Sequence, residues 1–439
     1  MDNGFTRREF IGMSMAAAAG SFFIGCSRRP DVYVPPLLDQ APEGPELKAG
    51  LVGCGGRGTG AAMNFLDAGP NLRIIALADV FQDRVGSTRE RLRERRGVEI
   101  PDENVFVGFD AYQRLLDTDI DIAMFATPPH FRPQHFAAAV EARKHVFLEK
   151  PVAVDPVGAR SVMATSKKAE TLGLNVATGT QYRHQRDFVA TYQQVAGGAI
   201  GDIQAAYAYY DTGQLWYREP REEWSEMEYM IRDWVNWNWL SGDHIVEQFI
   251  HNIDTMYWYL GIHPVRAVGY GGRARRVTGD QFDFFSIDYV YENDLHLSAS
   301  CRQINGTVNN VSNLLVGTKA LTNVRNTIQR RDGRILWQYE YPEDVTEAPW
   351  GAGTGQVALS PYVQEHVDAV TNIRNNEPRV EAESTAISTM MAIMGREAAY
   401  TGREITWDEM MSSDLRLGPT EYEFGPVNIE KEVPVPGTA

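Results

Sequence analysis

Three features of the sequence predict an α/β fold that opens with a doubly wound parallel sheet and continues into a largely antiparallel one. Apolar runs of strand length alternate with helical stretches from residue 47 to about residue 183. The first run feeds straight into a glycine-rich turn that opens a helix. Beyond residue 184 that alternation gives way to successive extended runs around a few helices.

The first strand is expected over Leu47 to Val52. It leads into Gly53-Cys54-Gly55-Gly56-Arg57-Gly58-Thr59-Gly60 and a helix over Ala61 to Ala68. Gly53, Gly55 and Gly58 fit G-x-G-x-x-G. There the first glycine makes the tight turn, the second admits a pyrophosphate to the backbone, and the third lets helix and strand pack closely. Gly56 and Arg57 lie inside the same loop. A second strand, Arg73 to Ala78, ends at Asp79, where an acid binds ribose hydroxyls and repels a 2′-phosphate. NAD is therefore expected over NADP. The alternation continues with a helix (Gln82 to Arg95), a strand (Asn104 to Val107), a helix (Tyr112 to Leu116), a strand (Ile120 to Ala126) ending in Thr127-Pro128-Pro129, a helix (Phe131 to Ala142) and a strand (His145 to Leu148). Ligands of such sheets bind at the carboxyl ends of the strands. That rule puts the glycine loop, Asp79, Thr127-Pro128 and Glu149-Lys150-Pro151 on one edge.

In the second half, extended runs are expected over Ile203 to Tyr209, Val265 to Tyr270, Phe282 to Tyr291, Leu295 to Arg302 and Val311 to Val316. Helices over Tyr362 to Ile373 and Ser384 to Thr401 would complete it. Five of nine tryptophans fall between residues 216 and 239, among several tyrosines. Such rings stack well on sugars, so the segment, Trp237 included, is expected to wall a substrate pocket. The formal net charge of -16 disfavours nucleic acid, which needs a basic face. Three cysteines exclude a disulfide framework. The histidines show no paired metal-ligand spacing, so no metal is expected.

The expected organisation is a signal over 1–29, a proline-rich tether over 30–46, a dinucleotide-binding domain over 47–183, a substrate domain over 184–415, and a tail over 416–439. Arg7-Arg8 ahead of an uncharged, Ala- and Phe-rich stretch resembles a twin-arginine (Tat) export signal. Phe23-Ile24-Gly25-Cys26 resembles a lipobox. These imply a periplasmic or cell-envelope protein, tied to a membrane only through its signal or a lipid on Cys26.

Glu149-Lys150-Pro151 after the fifth strand, with the glycine loop, Thr127-Pro128 and His135, resembles the Gfo/Idh/MocA (glucose–fructose oxidoreductase / inositol dehydrogenase) family. The likeness extends through Gly179-Thr180-Gln181-Tyr182-Arg183 and Glu247-Gln248-Phe249-Ile250-His251-Asn252-Ile253-Asp254, and covers residues 47 to about 415. It implies that Glu149, Lys150, His135 and Gln181 lie by the cofactor. It implies that Lys150 stands near the nicotinamide and the reacting carbon, with Arg183 and Asp254 toward the substrate, and that the protein is a homo-oligomer. His251 is the expected proton acceptor. Glu247 stands where the family commonly has Asp, and either orients His251 or meets a substrate hydroxyl. Glu247 and His251, at i and i+4, would share one face of a helix with Asp254 close by. A histidine titrates near neutrality and takes a hydroxyl proton, which a nearby carboxylate favours.

The resulting expectation is an exported oxidoreductase that moves hydride between a sugar or glycoside hydroxyl and a tightly bound nicotinamide cofactor. Two alternatives are a redox-neutral NAD-dependent glycosidase and a non-catalytic, cofactor-dependent sugar sensor.

Overall fold

The computed structural model describes residues 33–341 and 360–438. The Tat-type signal and the Cys26 lipobox fall outside the described residues. The chain divides after Tyr33, and the unit from Val34 onward holds every element below.

The first sheet has six parallel strands in the order β3-β2-β1-β4-β5-β6. In chain order the elements are β1 (Leu47–Val52), α1 (Gly56–Asp67), β2 (Leu72–Asp79), α2 (Gln82–Arg96), β3 (Val105–Val107), α3 (Ala111–Leu116), β4 (Ile122–Phe125), α4 (Arg132–Glu141), β5 (His145–Leu148), α5 (Pro156–Thr171) and β6 (Val176–Thr178). The strand order reverses beside β1, which leaves a crevice at the carboxyl ends of β1 and β4, where such sheets bind ligands. Its strands are apolar on both faces because helices cover both. Phe136, Ala139 and Val162, from α4 and α5, pack with Val52, Ala123 and Leu148. Ala61, Ala62 and Phe65, from α1, pack with Leu51 and Ile74 on the other side. Helix α5 has no counterpart among the sequence-derived elements. Asp155 starts it by accepting the Gly158 N–H at 2.7 Å, with Pro156 in the first turn.

After α6 (Arg186–Ala196), the second sheet has nine strands in the order β14-β13-β12-β11-β7-β10-β9-β8-β15. They are β7 (Ile203–Thr212), β8 (Arg266–Gly272), β9 (Phe284–Val290), β10 (His296–Gln303), β11 (Asn310–Gly317), β12 (Leu321–Thr322), β13 (Thr327–Gln329), β14 (Ile335–Gln338) and β15 (Ile405–Thr406). Only β7 and β10 pair in parallel; the other neighbours are antiparallel. Four short helices lie between β7 and β8: α7 (Glu226–Arg232), α8 (Asn238–Ser241), α9 (His244–Glu247) and α10 (Ile250–Leu260). Near the end come α11 (Pro361–Arg374), α12 (Ala382–Thr401) and α13 (Trp407–Ser412).

Two expectations change here. Helices α11 and α12 were assigned to the second half, yet Val363, Val367 and Val370 enter the core beside α1, and Ala382 and Ala386 enter the core beside α5. The apolar faces of α1 and α5 do not cover the six-stranded sheet alone. The proline-rich stretch is not an extended tether over residues 37–46. Ala41 is buried there, and Arg374 donates to the carbonyls of Pro42 and Pro45. Prolines leave their carbonyls free to accept, and one arginine gathers two of them. The tail docks too. Leu417, Tyr422, Val427 and Ile429 join a cluster with Phe81 and Trp239, and the Val427 N–H donates to Glu226 at 2.7 Å. No described helix is long and apolar enough to cross a membrane.

Candidate active site

The glycine loop links β1 to α1, and at its first and third motif glycines close contacts leave no room for a side chain. Gly53 has φ +97°, where L residues are strained, and a Cβ there would stand 2.6 Å from the Ala126 carbonyl carbon. A Cβ on Gly58 would lie 1.9 Å from the Gly53 carbonyl oxygen. On Gly55 and Gly56 it would meet nothing within 4 Å, so this part of the loop faces open space. Gly58→Ala is therefore expected to force β1 and α1 apart and to weaken dinucleotide binding more than tenfold, since the clash is with rigid backbone; a fluorescence titration with NADH reads it.

That open space is a cavity of about 400 Å³. Its walls include Gly53, Gly55, Gly56, Arg57, Gly58, Asp79, Thr127, Pro128 and His135, nine residues that the sequence assigns to the cofactor. Asp79 ends β2 and spans two turns. Its Oδ2 accepts the Cys54 N–H at 2.6 Å and its Oδ1 accepts the Phe81 N–H at 2.9 Å. Burial pushes its pKa up, against those two hydrogen bonds. His135 lies among Tyr112, Phe125 and Phe131 and approaches Thr127 Oγ1 at 3.3 Å. Burial pulls its pKa down to about 3, so it is a neutral wall residue.

A smaller recess, lined by Lys150, Thr180, Tyr182, Ile250, His251 and Asp254, opens at the carboxyl ends of β5 and β6. The Lys150 Nζ donates to the Glu247 carbonyl at 2.6 Å and to Glu247 Oε1 at 3.0 Å. The Lys150–Pro151 peptide bond is cis. Glu247 Oε2 accepts from Gln248 Nε2 at 2.5 Å; Gln248 accepts from Gln303 at 2.7 Å, and Gln303 accepts from Arg276 at 2.8 Å. Glu247 is thus held from two sides, by Lys150 and by this chain of donors. Ring contact with Tyr182, at 5.4 Å between centroids, positions His251. Burial, then the charges of Lys150 and Arg57, hold the His251 imidazole well below its ordinary pKa, so it is neutral and able to accept a proton at pH 7.

Several expected contacts are replaced by others. Glu247 and His251 do not share a helix: α9 ends at Glu247 and α10 begins at Ile250. The break at Gln248-Phe249 turns Glu247 to Lys150, so the carboxylate does not orient His251. Arg183 and Asp254 pair with each other through two 2.8 Å hydrogen bonds, and Ser388 Oγ adds a third to Asp254 at 2.6 Å. Asp254 still lines the recess, whereas Arg183 is spent on the pair. Glu149 is buried against the Arg57 guanidinium, which also reaches Glu365 at 2.8 Å, so this carboxylate serves the loop rather than a ligand. Gln181 is buried with its side-chain oxygen unpartnered and lines neither cavity. Trp237 packs with Trp239, Phe81 and Met230, away from both. The aromatic stretch does wall a pocket, but the large one: Trp216, Arg218, Ile231, Arg232 and Trp234 stand across from the glycine loop.

Sequence reasoning missed Phe81, Arg84, Phe109 and Tyr112 on the same wall. Arg84, five residues past Asp79 in the first turn of α2, was legible from its place after the second strand. Arg218 carries no local signal.

Comparison with known proteins agrees with this geometry. Residues 47–177 match the model of the oxidoreductase family with an NAD-binding Rossmann fold, Gfo/Idh/MocA. An inositol 2-dehydrogenase of Acidothermus cellulolyticus is 26% identical over 239 residues, 54% of this chain and 60% of that protein. A D-glucoside 3-dehydrogenase of Escherichia coli is 26% identical over 222 residues, 51% of this chain and 56% of that one. The chain thus spans somewhat more than half the length of these curated relatives. The crystal structure of scyllo-inositol dehydrogenase from Lactobacillus casei, with bound NAD(H) and scyllo-inositol, shares the fold at a TM-score of 0.60 and 20% identity, over 82% of this chain and 99% of that one. The family match is thus to the dinucleotide-binding part of the chain, and the solved structure shares the fold of the greater part of it.

Proposed function

We propose that this protein oxidises or reduces a hydroxyl-bearing carbon of a sugar, polyol or glycoside with a nicotinamide cofactor. One observation carries the reading. The glycine-loop cavity and the Lys150–His251 recess open along the same carboxyl edge of one parallel sheet, at adjacent strands β4 and β5. Gly55 and Gly56 leave the backbone accessible to a pyrophosphate. When bound, the nicotinamide accepts or returns the hydride. In the oxidation direction, neutral His251 takes the hydroxyl proton as the C–O bond becomes C=O. Two donors of the Lys150 ammonium are engaged by Glu247; the third points its charge at the substrate oxygen. Asp254 lines the recess and can accept from a second hydroxyl.

The finer parts of the proposal rest on separate supports. Asp79 at the end of β2 stands where an acid lies beside the cofactor ribose, which supports NAD as a cofactor. The wall supplied by Trp216, Ile231 and Trp234 favours slow release, so the cofactor is tightly held. The twin-arginine motif and Cys26 support export to the cell envelope. Exposed Tyr270 and Val268, on the outer part of the second sheet, support a homo-oligomer formed through that sheet.

The test begins with purified protein, denatured and assayed for released NAD(H) and NADP(H). Native protein is then mixed with free polyols and aryl glycosides while nicotinamide absorbance and aglycone release are followed together. Reduction of bound cofactor by a sugar is the expected result, with the acid limb of kcat/KM below the ordinary histidine range because the His251 pKa is depressed. Aglycone release with no net reduction would replace the dehydrogenase by a redox-neutral glycosidase. Failure to bind any nicotinamide cofactor would end the reading.

A further inference from the structure

The cavity beside Asp79 holds more positive charge than a dinucleotide without a 2′-phosphate needs. Four arginines line it: Arg57, Arg84, Arg218 and Arg232. Arg57 is neutralised by Glu149 and Glu365. Arg232 is neutralised, with Asp83 at 3.0 Å and Glu228 at 2.8 Å, and its guanidinium lies over the Phe81 ring. Arg84 and Arg218 have no such partner. Neither makes an ion pair among the described residues. The Arg218 backbone N–H donates to Asp233 Oδ1 at 2.7 Å, but from its guanidinium only Nε is engaged, by the Arg232 carbonyl at 2.9 Å, and the guanidinium lies 5.3 Å from the Trp216 ring centroid. Its terminal nitrogens and the whole Arg84 head group are left for the cavity.

The two guanidiniums also repel. Burial lowers the pKa of Arg218, and the charge of Arg84 is the next cause. An anion placed between them would turn that repulsion into two attractions. The acid expected to exclude a 2′-phosphate is poorly placed to do so. Both Asp79 oxygens already accept backbone N–H groups, and Arg84 offsets its charge. The glycine loop has its own backbone donors for a pyrophosphate, so the arginines are not required there.

We propose that Arg84, from α2, and Arg218, from the segment after β7, form a subsite for the 2′-phosphate of NADP(H), so that the protein binds NADP(H) as well as NAD(H). The proposal rests on the dinucleotide reading of the glycine loop and extends it. Arg218 is the less obvious partner, because it reaches the cavity from the second half of the chain. Specificity for the cofactor is then set jointly by the two halves.

The test is fluorescence titration of the full chain, freed of endogenous nucleotide, with NADPH and with NADH. Arg84→Gln and Arg218→Gln are titrated alongside, and NADH affinity in each variant reports that the cavity still forms. Wild-type affinities for the two cofactors are expected to lie within about tenfold of each other. Each substitution is expected to weaken NADPH by about tenfold or more and NADH by far less, the loss of one charge-assisted hydrogen-bonding group. Wild-type discrimination against NADPH beyond tenfold, or equal weakening of both cofactors, would overturn the subsite. Binding of neither cofactor would instead bring down the dinucleotide reading beneath it.

Discussion

Replacing Lys150 by alanine is expected to lower kcat by about 10²–10⁴-fold, the range for removing a positioned acid–base group, with NADH affinity unchanged. The reason lies in how the ammonium is held. It sits at the end of β5, with the Glu247 carbonyl at 2.6 Å and the Glu247 carboxylate at 3.0 Å, and it shares the recess with His251. Alanine would remove the donor from the reacting oxygen and strand a buried carboxylate. The stranded carboxylate would also cost stability, so a second variant separates the two effects. Lys150→Ala with Glu247→Gln is expected to recover the thermal midpoint lost by Lys150→Ala but not the turnover. Lysine to arginine should not rescue either, because a planar fork does not replace a compact ammonium. Steady-state kinetics and thermal unfolding on the three variants decide it. Turnover of Lys150→Ala within tenfold of wild type would remove Lys150 from the chemistry.

Arg183→Met is the second large effect, expected to destabilise the fold by about 3–5 kcal/mol, the cost of breaking one side of a buried ion pair. Asp254 would keep only the Ser388 hydroxyl at 2.6 Å, with its carboxylate buried between α10 and α12. Replacing both partners, Arg183→Met with Asp254→Leu, should cost less than the single change, because no charge is left unpaired. Denaturant unfolding of both variants checks this. A double variant less stable than the single one would mean that the pair contributes more than mutual neutralisation. Because Asp254 also lines the recess, the double variant is expected to lose activity while regaining stability, which separates its two roles.

How much of this was legible in the sequence depends on the range of the interaction. The strands expected from Leu47 to Leu148 lie within about two residues of the observed β1 to β5, because each is a largely apolar run between turn signals. Helix α5 escaped although Asp155-Pro156 is a helix-start signal, since its Ala, Ser and Lys content shows no strong stripe. Strands β12 to β15 are two to four residues long, too short for alternation to register. At the site, the residue types were readable and their partners were not. The sequence from His244 to Leu260 reads as one helical run, and nothing local marks the break at Gln248-Phe249 that sends Glu247 to Lys150. The Arg57 contacts with Glu149 and Glu365, and that of Arg183 with Asp254, join residues far apart in the chain, which periodicity cannot see. Trp237 shows the same limit: an aromatic ring in a Trp-rich segment suits a sugar and a core equally well until its neighbours are known.

The walls of the large cavity come from three distant stretches. Phe81 and Phe109 face it from the first sheet, Trp216 and Trp234 from the segment after β7, and the tail backs them, with Phe424 stacked on Phe81 at 5.9 Å and 5.3 Å from Phe109. Occupancy of the cavity and docking of the tail are therefore thermodynamically linked. Any ligand that prefers the complete cavity raises the cost of peeling residues 416–429 away, by an amount set by its concentration relative to its Kd. The converse holds with equal force: whatever loosens the tail weakens the binding of what lies inside, so that affinity becomes a property of segments that never touch the ligand.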